Sequence, residues 1–270
     1  TEIQILRLGP LPPSRELQLW LEKFRKSQLL ITEGDCRNLD PIGVSIQFSN
    51  GFSCWVKKIF ESLRSESEID KKNISEKFTS ELKNYDLFIN NWLDKRLFSN
   101  GLISEPALAR SLPLLLPKSI PVMLASSSPI RDWLSFSGHG AFLRRCFGFR
   151  GASGIDGTLS MGMGLSIIMG RMVLVTGDLA LLHDTNGWLF SKDSNISLVV
   201  IMIDNGGGGI FNQLNIDKIQ EGNFEEIFLM PQQVCPLTLV KAYGIKCLQV
   251  SCLDDLEKAI EWSFSLSTNV

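Results

Sequence analysis

Residues 172–178 read Met-Val-Leu-Val-Thr-Gly-Asp, and residues 197–205 read Ser-Leu-Val-Val-Ile-Met-Ile-Asp-Asn. In each stretch a short apolar run leads directly into polar side chains, which include Asp178 in the first and Asn205 in the second. Apolar runs without alternation are typical of strands buried on both faces of a parallel sheet. The sequence therefore predicts an α/β fold with a doubly wound parallel sheet, in which both polar side chains follow the carboxyl end of a strand.

Other apolar runs and turn signals place further elements around these two strands. Strands are predicted at 121–125 and near 143–149, and helices near 155–169, 179–191 and 252–265. A helix begins after Ser104, a break falls near 114–116, and Pro129 marks the start of another helix. The first hundred residues predict a strand at 3–8, a helix from Ser14 to about Arg25, a strand at 29–32 and charged surface helices over 61–98. A composition change near 100–105 separates two predicted domains, 1–104 and 105–270.

The composition excludes several classes of protein. The 270 residues carry 27 basic and 29 acidic side chains, and 44% of them are hydrophobic. Such a chain is neither disordered nor basic enough overall to hold a nucleic-acid backbone. No apolar run approaches the roughly 18–20 residues of a membrane span. The six cysteines form no C-x-x-C pair, so we expect free, buried thiols in a reducing cytoplasm.

Asp178 and Asn205 suggest a metal and phosphate site. One strand–helix–strand unit separates them, so both are expected at the crevice where the carboxyl ends of neighbouring strands meet. A carboxylate, an amide oxygen and a carbonyl of the glycine run 206–209 are the hard ligands that Mg²⁺ prefers. The helix that starts at Asp178 would direct N–H groups towards a diphosphate, and glycines allow the backbone to approach it.

Each half of this pattern has a simpler interpretation when taken alone. An Asp after a strand is often only an N-cap, and Asn-Gly-Gly is often only a turn. A nucleotide-binding module without catalytic function is a further alternative, although no G-x-G-x-x-G opens a helix after the strand. The joint occurrence of both halves favours the metal–diphosphate site.

Gly177-Asp178 followed by Asn205 is similar to the signature of the thiamine-diphosphate-dependent enzymes. Leu179 and Asp204 stand where that signature usually has Gly and Asn. Within this family, the sequence resembles the branch of 2-succinyl-5-enolpyruvyl-6-hydroxy-3-cyclohexene-1-carboxylate synthases. The resemblance extends over most of the chain, in the segments Gly9–Pro12, Ala125–Arg131, Arg150–Gly157, Gly177–Asn186, Asn205–Phe211 and Leu229–Gln232.

The resemblance implies roles for individual residues. Mg²⁺ or Mn²⁺ would be held by Asp178, Asn205 and the carbonyl of Gly207, and the diphosphate by the N–H groups of Leu179 and Ala180. The implied cofactor-binding set is Ile155, Gly177, Asp178, Leu179, Ala180, Asn205, Gly207 and Ile210. The implied substrate-binding set is Ser127, Arg131, Arg150, Ile210, Phe211 and Leu214. Gly206 and Gly209 replace residues that could carry polar side chains in relatives.

The resemblance also implies an activity for the whole enzyme. Thiamine diphosphate would allow decarboxylation of 2-oxoglutarate and addition of the resulting succinyl-semialdehyde carbanion to isochorismate, in menaquinone or phylloquinone biosynthesis. Residues 1–104 would belong to a middle, non-catalytic domain, and 105–270 to a diphosphate-binding domain that stops before its last strand. The activating Glu would lie in an N-terminal pyrimidine-binding domain, from a second subunit of a cytoplasmic homo-oligomer.

Two further points concern the activity of this chain and an alternative enzyme of the same family. No catalytic residue is expected in these 270 residues, so we expect no turnover by the chain alone. Another thiamine-diphosphate enzyme, a 2-keto-acid decarboxylase or acetolactate-type synthase, would use the same diphosphate site. Such an enzyme has little need for both Arg131 and Arg150 in its pocket.

Overall fold

The computed structural model describes residues 3–12, 14–25, 27–63, 72–99, 101–149, 153–193, 195–213 and 224–266. The chain divides into two compact units, Thr1–Asp86 and Leu87–Val270. This division falls before the predicted domain boundary near 100–105, which stays a prediction. Over the described residues, no helix is long and apolar enough to cross a membrane.

The first unit contains a small parallel sheet. Its strands are β1 (Ile5–Leu8), β2 (Gln28–Ile31) and β3 (Ile46–Phe48), hydrogen-bonded in the order β1-β2-β3. The helices are α1 (Arg15–Glu22), α2 (Phe52–Leu63) and α3 (Lys72–Leu97), the last of which continues into the second unit. Ser14 caps α1 as predicted, because its Oγ accepts a hydrogen bond from the N–H of Leu17 at 3.2 Å. Strand β3 and the start of α2 were not predicted from the sequence.

The second unit is built on a four-stranded parallel sheet. The strands are β4 (Val122–Leu124), β5 (Cys146–Gly148), β6 (Met172–Gly177) and β7 (Leu198–Ile203), in the order β5-β4-β6-β7. The helices are α4 (Glu105–Leu115), α5 (Ser128–Phe136), α6 (Thr158–Met169), α7 (Asp178–His183), α8 (Pro236–Ala242) and α9 (Leu256–Ser265). The sequence predicted all four strands, with β5 shorter than expected.

Apolar clusters cover both faces of this sheet. Alternate residues of one strand point to opposite faces. Val173 of β6 therefore packs in a cluster with α4, α5 and α9, whereas its neighbour Leu174 packs with α6, α8 and Trp188. Burial on both faces explains why the strands are uninterrupted Val, Leu, Ile and Met runs, and the doubly wound prediction is confirmed.

The strand order locates the crevice of the sheet. The connection from β4 leads through α5 to β5 on one side, and the connection from β6 leads through α7 to β7 on the other. The chain therefore diverges between the carboxyl ends of β4 and β6, which is the usual ligand position in open α/β sheets. Asp178, which follows β6, lies at one wall of this crevice, and Ser127, which follows β4, lies at the other.

Some local predictions need correction. The helix predicted at 179–191 is α-helical only to His183 and then 3₁₀ over Thr185–Lys192. The Thr185 hydroxyl donates to the carbonyls of Leu181 and Leu182, and so takes the acceptors of the last helical turn. Helix α4 continues through Pro113 to Leu115, and the break falls at Leu116 before Pro117. Helix α8 was not predicted.

The cysteines are free, as expected, but the prediction that they are buried is wrong. Cys36, Cys146 and Cys235 are exposed, and the other three are half-buried. Cys146 lies on β5, the edge strand of the second sheet, where packing covers the backbone less completely than at β4 or β6. The spacing of the cysteines along the sequence, without pairs or clusters, does not determine whether a thiol is buried in the core.

The outer edge of β7 has no strand partner among the described residues. A cavity of about 980 Å³ lies along this edge, between β7 and residues 246–251. The last strand expected from the sequence stays a prediction.

Candidate cofactor site at the carboxyl edge of the sheet

Asp178 joins the two loops that the sequence predicted to meet. It follows β6 directly, and it is 6% exposed. Its Oδ1 accepts a hydrogen bond from the N–H of Leu179 at 2.7 Å, and its Oδ2 accepts one from the N–H of Gly207 at 2.7 Å. One carboxylate therefore ties the start of α7 to the glycine loop that follows β7.

The surroundings of Asp178 favour a cation. Burial raises the pKa of its carboxyl group, and the negative charge of nearby Asp204 raises it further. The N–H donors of Leu179 and Gly207 lower the pKa but do not outweigh burial. A divalent cation at this carboxylate would make up for the hydration that burial removes. It would also offset the negative charge of Asp204.

The glycine loop can follow its path only without side chains. Gly207 has φ of +120°, and a Cβ there would run into the carbonyl oxygen of Leu229. A Cβ at Gly208 would meet the carbonyl oxygen of Phe228, and the N–H of Gly208 donates to Leu229 at 2.6 Å. The loop backbone is thus pressed against the short π-helix Glu225–Leu229, which holds the Gly207 N–H in line with Asp178.

We expect Gly207→Ala to destabilise the protein and displace the loop, since the new methyl group meets backbone and φ is unfavourable for Ala. A loss of about 2–3 kcal/mol is typical of overpacking combined with backbone strain. Gly164→Ala is the matched control, because Gly164 is an exposed position inside α6 with nothing within 4 Å of a Cβ. There the change should stabilise by about 0.5–1 kcal/mol. Urea unfolding of both variants measures the difference, and equal midpoints would contradict the close contact.

Asn205 presents its amide between two neighbours. Its Nδ2 donates to Oε1 of Glu105 at 2.8 Å. A Cβ at Gly209 would lie 2.8 Å from the same Nδ2, so the glycine leaves room for the amide. Gly209 therefore provides the space that the Asn205 side chain occupies.

Glu105 belongs to a pair of carboxyl groups that the sequence analysis did not associate with the site. Asp132 is a half-buried residue of α5, and burial together with the charge and hydrogen bond of Glu105 raises its pKa to about 7. The two carboxyl groups therefore lie close enough for the charge of one to act on the other. The only sequence signal was Ser104-Glu105-Pro106, which predicted a helix start, and Ser104 does cap α4.

The β4 wall of the crevice carries a strained serine. Ser127 has φ of +77°, which is rare outside glycine, and its carbonyl accepts a hydrogen bond from Nη1 of Arg131 at 2.7 Å. The hydroxyl of adjacent Ser126 is buried without a hydrogen-bond partner within the described part of the chain. Backbone strain and an unsatisfied hydroxyl are typical of ligand-binding positions.

Some of the remaining predicted residues lie within the part of the chain that the structure describes, and others lie outside it. Ile155 is half-buried just before α6, and its carbonyl accepts a hydrogen bond from the Thr158 hydroxyl at 2.8 Å. Ile210 and Phe211 lie in the 3₁₀ turn Gly209–Gln213, where the Phe211 ring packs edge-on against Phe228. Arg150 and Leu214 lie outside the described residues.

Comparison with known proteins shows the family. A model of the thiamine pyrophosphate enzyme C-terminal TPP binding domain matches residues 126–269. The chain belongs to this family. The match includes both walls of the crevice, from Ser126 beyond β4 to the glycine loop beyond β7.

Relatives within this family are long and similar in sequence. A 2-succinyl-5-enolpyruvyl-6-hydroxy-3-cyclohexene-1-carboxylate synthase of Prochlorococcus marinus (strain NATL1A) is 82% identical over 269 residues, which is 100% of this chain and 45% of the relative. Synthases of the same name from Prochlorococcus marinus (strain MIT 9313) and Synechococcus sp. (strain CC9902) are 50% and 48% identical over 97% of this chain and 45% of each relative. The chain therefore spans about half the length of these curated relatives.

The described residues fit the cofactor of a thiamine pyrophosphate enzyme (thiamine diphosphate). Asp178, Asn205 and the carbonyl of Gly207 offer the hard oxygen atoms that Mg²⁺ prefers. The Gly207 carbonyl accepts the N–H of Gly209 at 2.9 Å, and its second lone pair is still available. Within the described residues no cluster of three or more His, Cys, Asp or Glu could hold a metal. The candidate metal site formed by Asp178, Asn205 and Gly207 combines side-chain and backbone oxygen atoms.

One of the N–H groups expected to bind the diphosphate already has an acceptor. The N–H of Leu179 donates to Oδ1 of Asp178, so the arrangement would have to share or exchange this donor when a diphosphate binds. The α7 helix has only six residues, so its dipole is smaller than a helix over 179–191 would supply. A diphosphate bound here would therefore depend more on direct N–H and metal contacts than on a long helix dipole.

Proposed function

We propose that this chain is the diphosphate-binding part of a 2-succinyl-5-enolpyruvyl-6-hydroxy-3-cyclohexene-1-carboxylate synthase. The observation that carries the proposal is the hydrogen bond from the Gly207 N–H to Asp178, which brings together, at the crevice of the sheet, the two loops that we propose hold the metal. The 82% identical relative with that name supports the specific reaction, since its match covers the entire chain.

The chain's own residues would bind and orient the cofactor. Asp178, Asn205 and the Gly207 carbonyl would hold Mg²⁺ or Mn²⁺ against the diphosphate, and the N–H of Ala180 would add a hydrogen bond. Ile155 would support the cofactor from below. Thiamine diphosphate, when bound, supplies the carbanion chemistry by which 2-oxoglutarate loses CO₂ and the remaining carbon unit joins isochorismate.

The substrates that we propose carry several carboxylates. Arg131 and Arg150 would pair with them, because a guanidinium binds a carboxylate through two parallel hydrogen bonds. Ser127 would add a hydroxyl at the β4 wall. Ile210, Phe211 and Leu214 would form an apolar wall that limits the access of water to the reacting carbon.

We also propose how the rest of the enzyme takes part. The pyrimidine half of the cofactor would bind an N-terminal domain, contributed by a second subunit of a homo-oligomer, and the activating Glu would lie there. The six free cysteines support a reducing cytoplasmic location, and the product would enter menaquinone or phylloquinone biosynthesis.

A hybrid enzyme tests the proposed function. In this hybrid synthase, the chain replaces the matching 269 residues of the Prochlorococcus marinus (strain NATL1A) protein. We expect the hybrid to release CO₂ from 2-oxoglutarate and to form the succinyl adduct of isochorismate, both dependent on thiamine diphosphate and Mg²⁺. The unaltered relative is the positive control, and the chain alone should show no turnover.

The same hybrid distinguishes the alternatives. An Arg131→Ala hybrid should lose affinity for the carboxylate substrates, and unchanged affinity would favour a different thiamine-diphosphate enzyme. Preference for pyruvate over 2-oxoglutarate would favour an acetolactate-type synthase. Metal-independent binding of NAD by the chain, without thiamine diphosphate binding by the hybrid, would support a nucleotide-binding module instead.

A further inference from the structure

Glu105 contacts the site from a different part of the chain. It is the first residue of α4, one hundred positions before Asn205, and its Oε1 accepts the Asn205 Nδ2–H at 2.8 Å. We propose that Glu105 is a positioning residue for Asn205, which orients the amide so that Oδ1 is presented to the metal. This inference rests on the proposed function, because it assigns Asn205 to the metal site.

The chemistry of the two groups sets the direction of the amide. An Asn side chain has an oxygen that only accepts and a nitrogen that only donates, and the two ends have similar shapes. An ionised carboxylate only accepts, so Glu105 selects the nitrogen and leaves the oxygen on the opposite side. Asn205 is exposed, and without this partner water could satisfy either orientation.

Glu105 is itself held in place. The Ser104 hydroxyl caps α4 by accepting the N–H of Ala107 at 3.3 Å, and Pro106 restricts the first turn. Asp132 of α5 hydrogen-bonds the Glu105 side chain. On the other side of the amide, the absence of a side chain at Gly209 leaves room for the Asn205 side chain in its observed place. A supported carboxylate of this kind restricts its partner more than a solvated one would.

Metal affinity in the hybrid synthase tests the inference. We expect Glu105→Ala to weaken Mn²⁺ binding by about 10-fold, the lower end for loss of a residue that orients a metal ligand. Isothermal titration of Mn²⁺ at saturating thiamine diphosphate measures this directly, without turnover. Glu105→Gln keeps an acceptor of the same length and should restore part of the affinity. The loss should be larger in the Mn²⁺ dissociation constant than in kcat at saturating Mn²⁺.

Two further variants separate positioning from a general loss of structure. Ser14→Ala weakens the cap of α1, in the other unit, and leaves Glu105 and its contacts unchanged, so it should lower the thermal midpoint and leave Mn²⁺ affinity unchanged. In an Asn205→Ala background, Glu105→Ala should have no further effect on Mn²⁺ affinity, because the group that it orients is gone.

The outcomes for the inference and for the proposed function differ. Equal Mn²⁺ affinities of the hybrid and its Glu105→Ala variant would overturn the role of Glu105 and leave the function intact. A second loss in the Asn205→Ala background would also overturn it. Failure of the unmodified hybrid to bind Mn²⁺ with thiamine diphosphate would instead contradict the proposed function.

Discussion

Asp178→Asn is expected to weaken thiamine diphosphate binding by the hybrid synthase more than about 100-fold, the upper range for an altered metal-site residue. The substitution preserves shape but removes the charge that would bind Mg²⁺. It also replaces one acceptor oxygen with a donor NH₂ group. Both carboxylate oxygens accept backbone N–H groups, from Leu179 and Gly207, so one N–H of the site would face another donor.

Calorimetric titration of thiamine diphosphate with Mg²⁺, and again with EDTA, measures this effect. Asp204→Asn is the matched control, since Asp204 is an exposed carboxylate close to Asp178. Removing its charge should leave cofactor binding within about 3-fold, because it only affects Asp178 at a distance. Wild-type affinity in Asp178→Asn, or binding that persists in EDTA, would contradict the assignment of the site.

Asp40→Asn is expected to cause the largest loss of stability in the first unit, about 3–5 kcal/mol, because it leaves a buried guanidinium without its counter-charge. Nη1 of Arg7 donates to Oδ1 of Asp40 at 3.0 Å, and the two side chains are 7% and 2% exposed. Oδ2 accepts N–H groups of Val44 and Ser45 at 2.8 Å and the Ser45 hydroxyl at 2.7 Å. The Asn side chain has one accepting oxygen and a donor NH₂ group, so it can accept only some of these hydrogen bonds.

The effect should depend on pH in a direction that the contacts determine. Burial by itself raises the pKa of Asp40, but hydrogen bonds from Ser45, Arg7 and Val44 outweigh it and hold the pKa well below its usual 3.8. The folded protein thus binds this proton less readily than the unfolded chain does. The stabilisation is present above about pH 4 and is lost as the pH falls towards the folded-state pKa.

Urea unfolding at pH 7 and at pH 3.5 tests this prediction. The difference between wild type and Asp40→Asn should be smaller at the lower pH. Asp35→Asn is the control, because Asp35 pairs with Arg37 at the surface, where the Arg37 side chain is 83% exposed. Its midpoint should not change measurably. An Asp40→Asn midpoint as close to wild type as that of Asp35→Asn would show that water reaches the Arg7–Asp40 pair.

The sequence by itself determined the parts of the site that depend on strand ends. Apolar runs such as 172–176 predict buried parallel strands, and the residue after such a strand must lie at the carboxyl edge of the sheet. This local relation was sufficient to bring Asp178 near the glycine loop, and the contact at 2.7 Å confirms it. Glycine positions at 206–208 were also apparent, although their reason, the carbonyls of Phe228 and Leu229, was not.

Only the tertiary structure decided which distant side chains join these loops. Glu105 reaches Asn205 across one hundred positions, and Asp132 joins Glu105 from another helix, because α4 and α5 pack on the same face of the sheet. A helix-start motif such as Ser104-Glu105-Pro106 specifies its own backbone and contains no information about a partner elsewhere in the chain. The same reason applies to the buried Arg7–Asp40 pair. Strand ends are set by local hydrophobic pattern, whereas the partners of polar side chains are set by packing between elements, which depends on the whole chain at once.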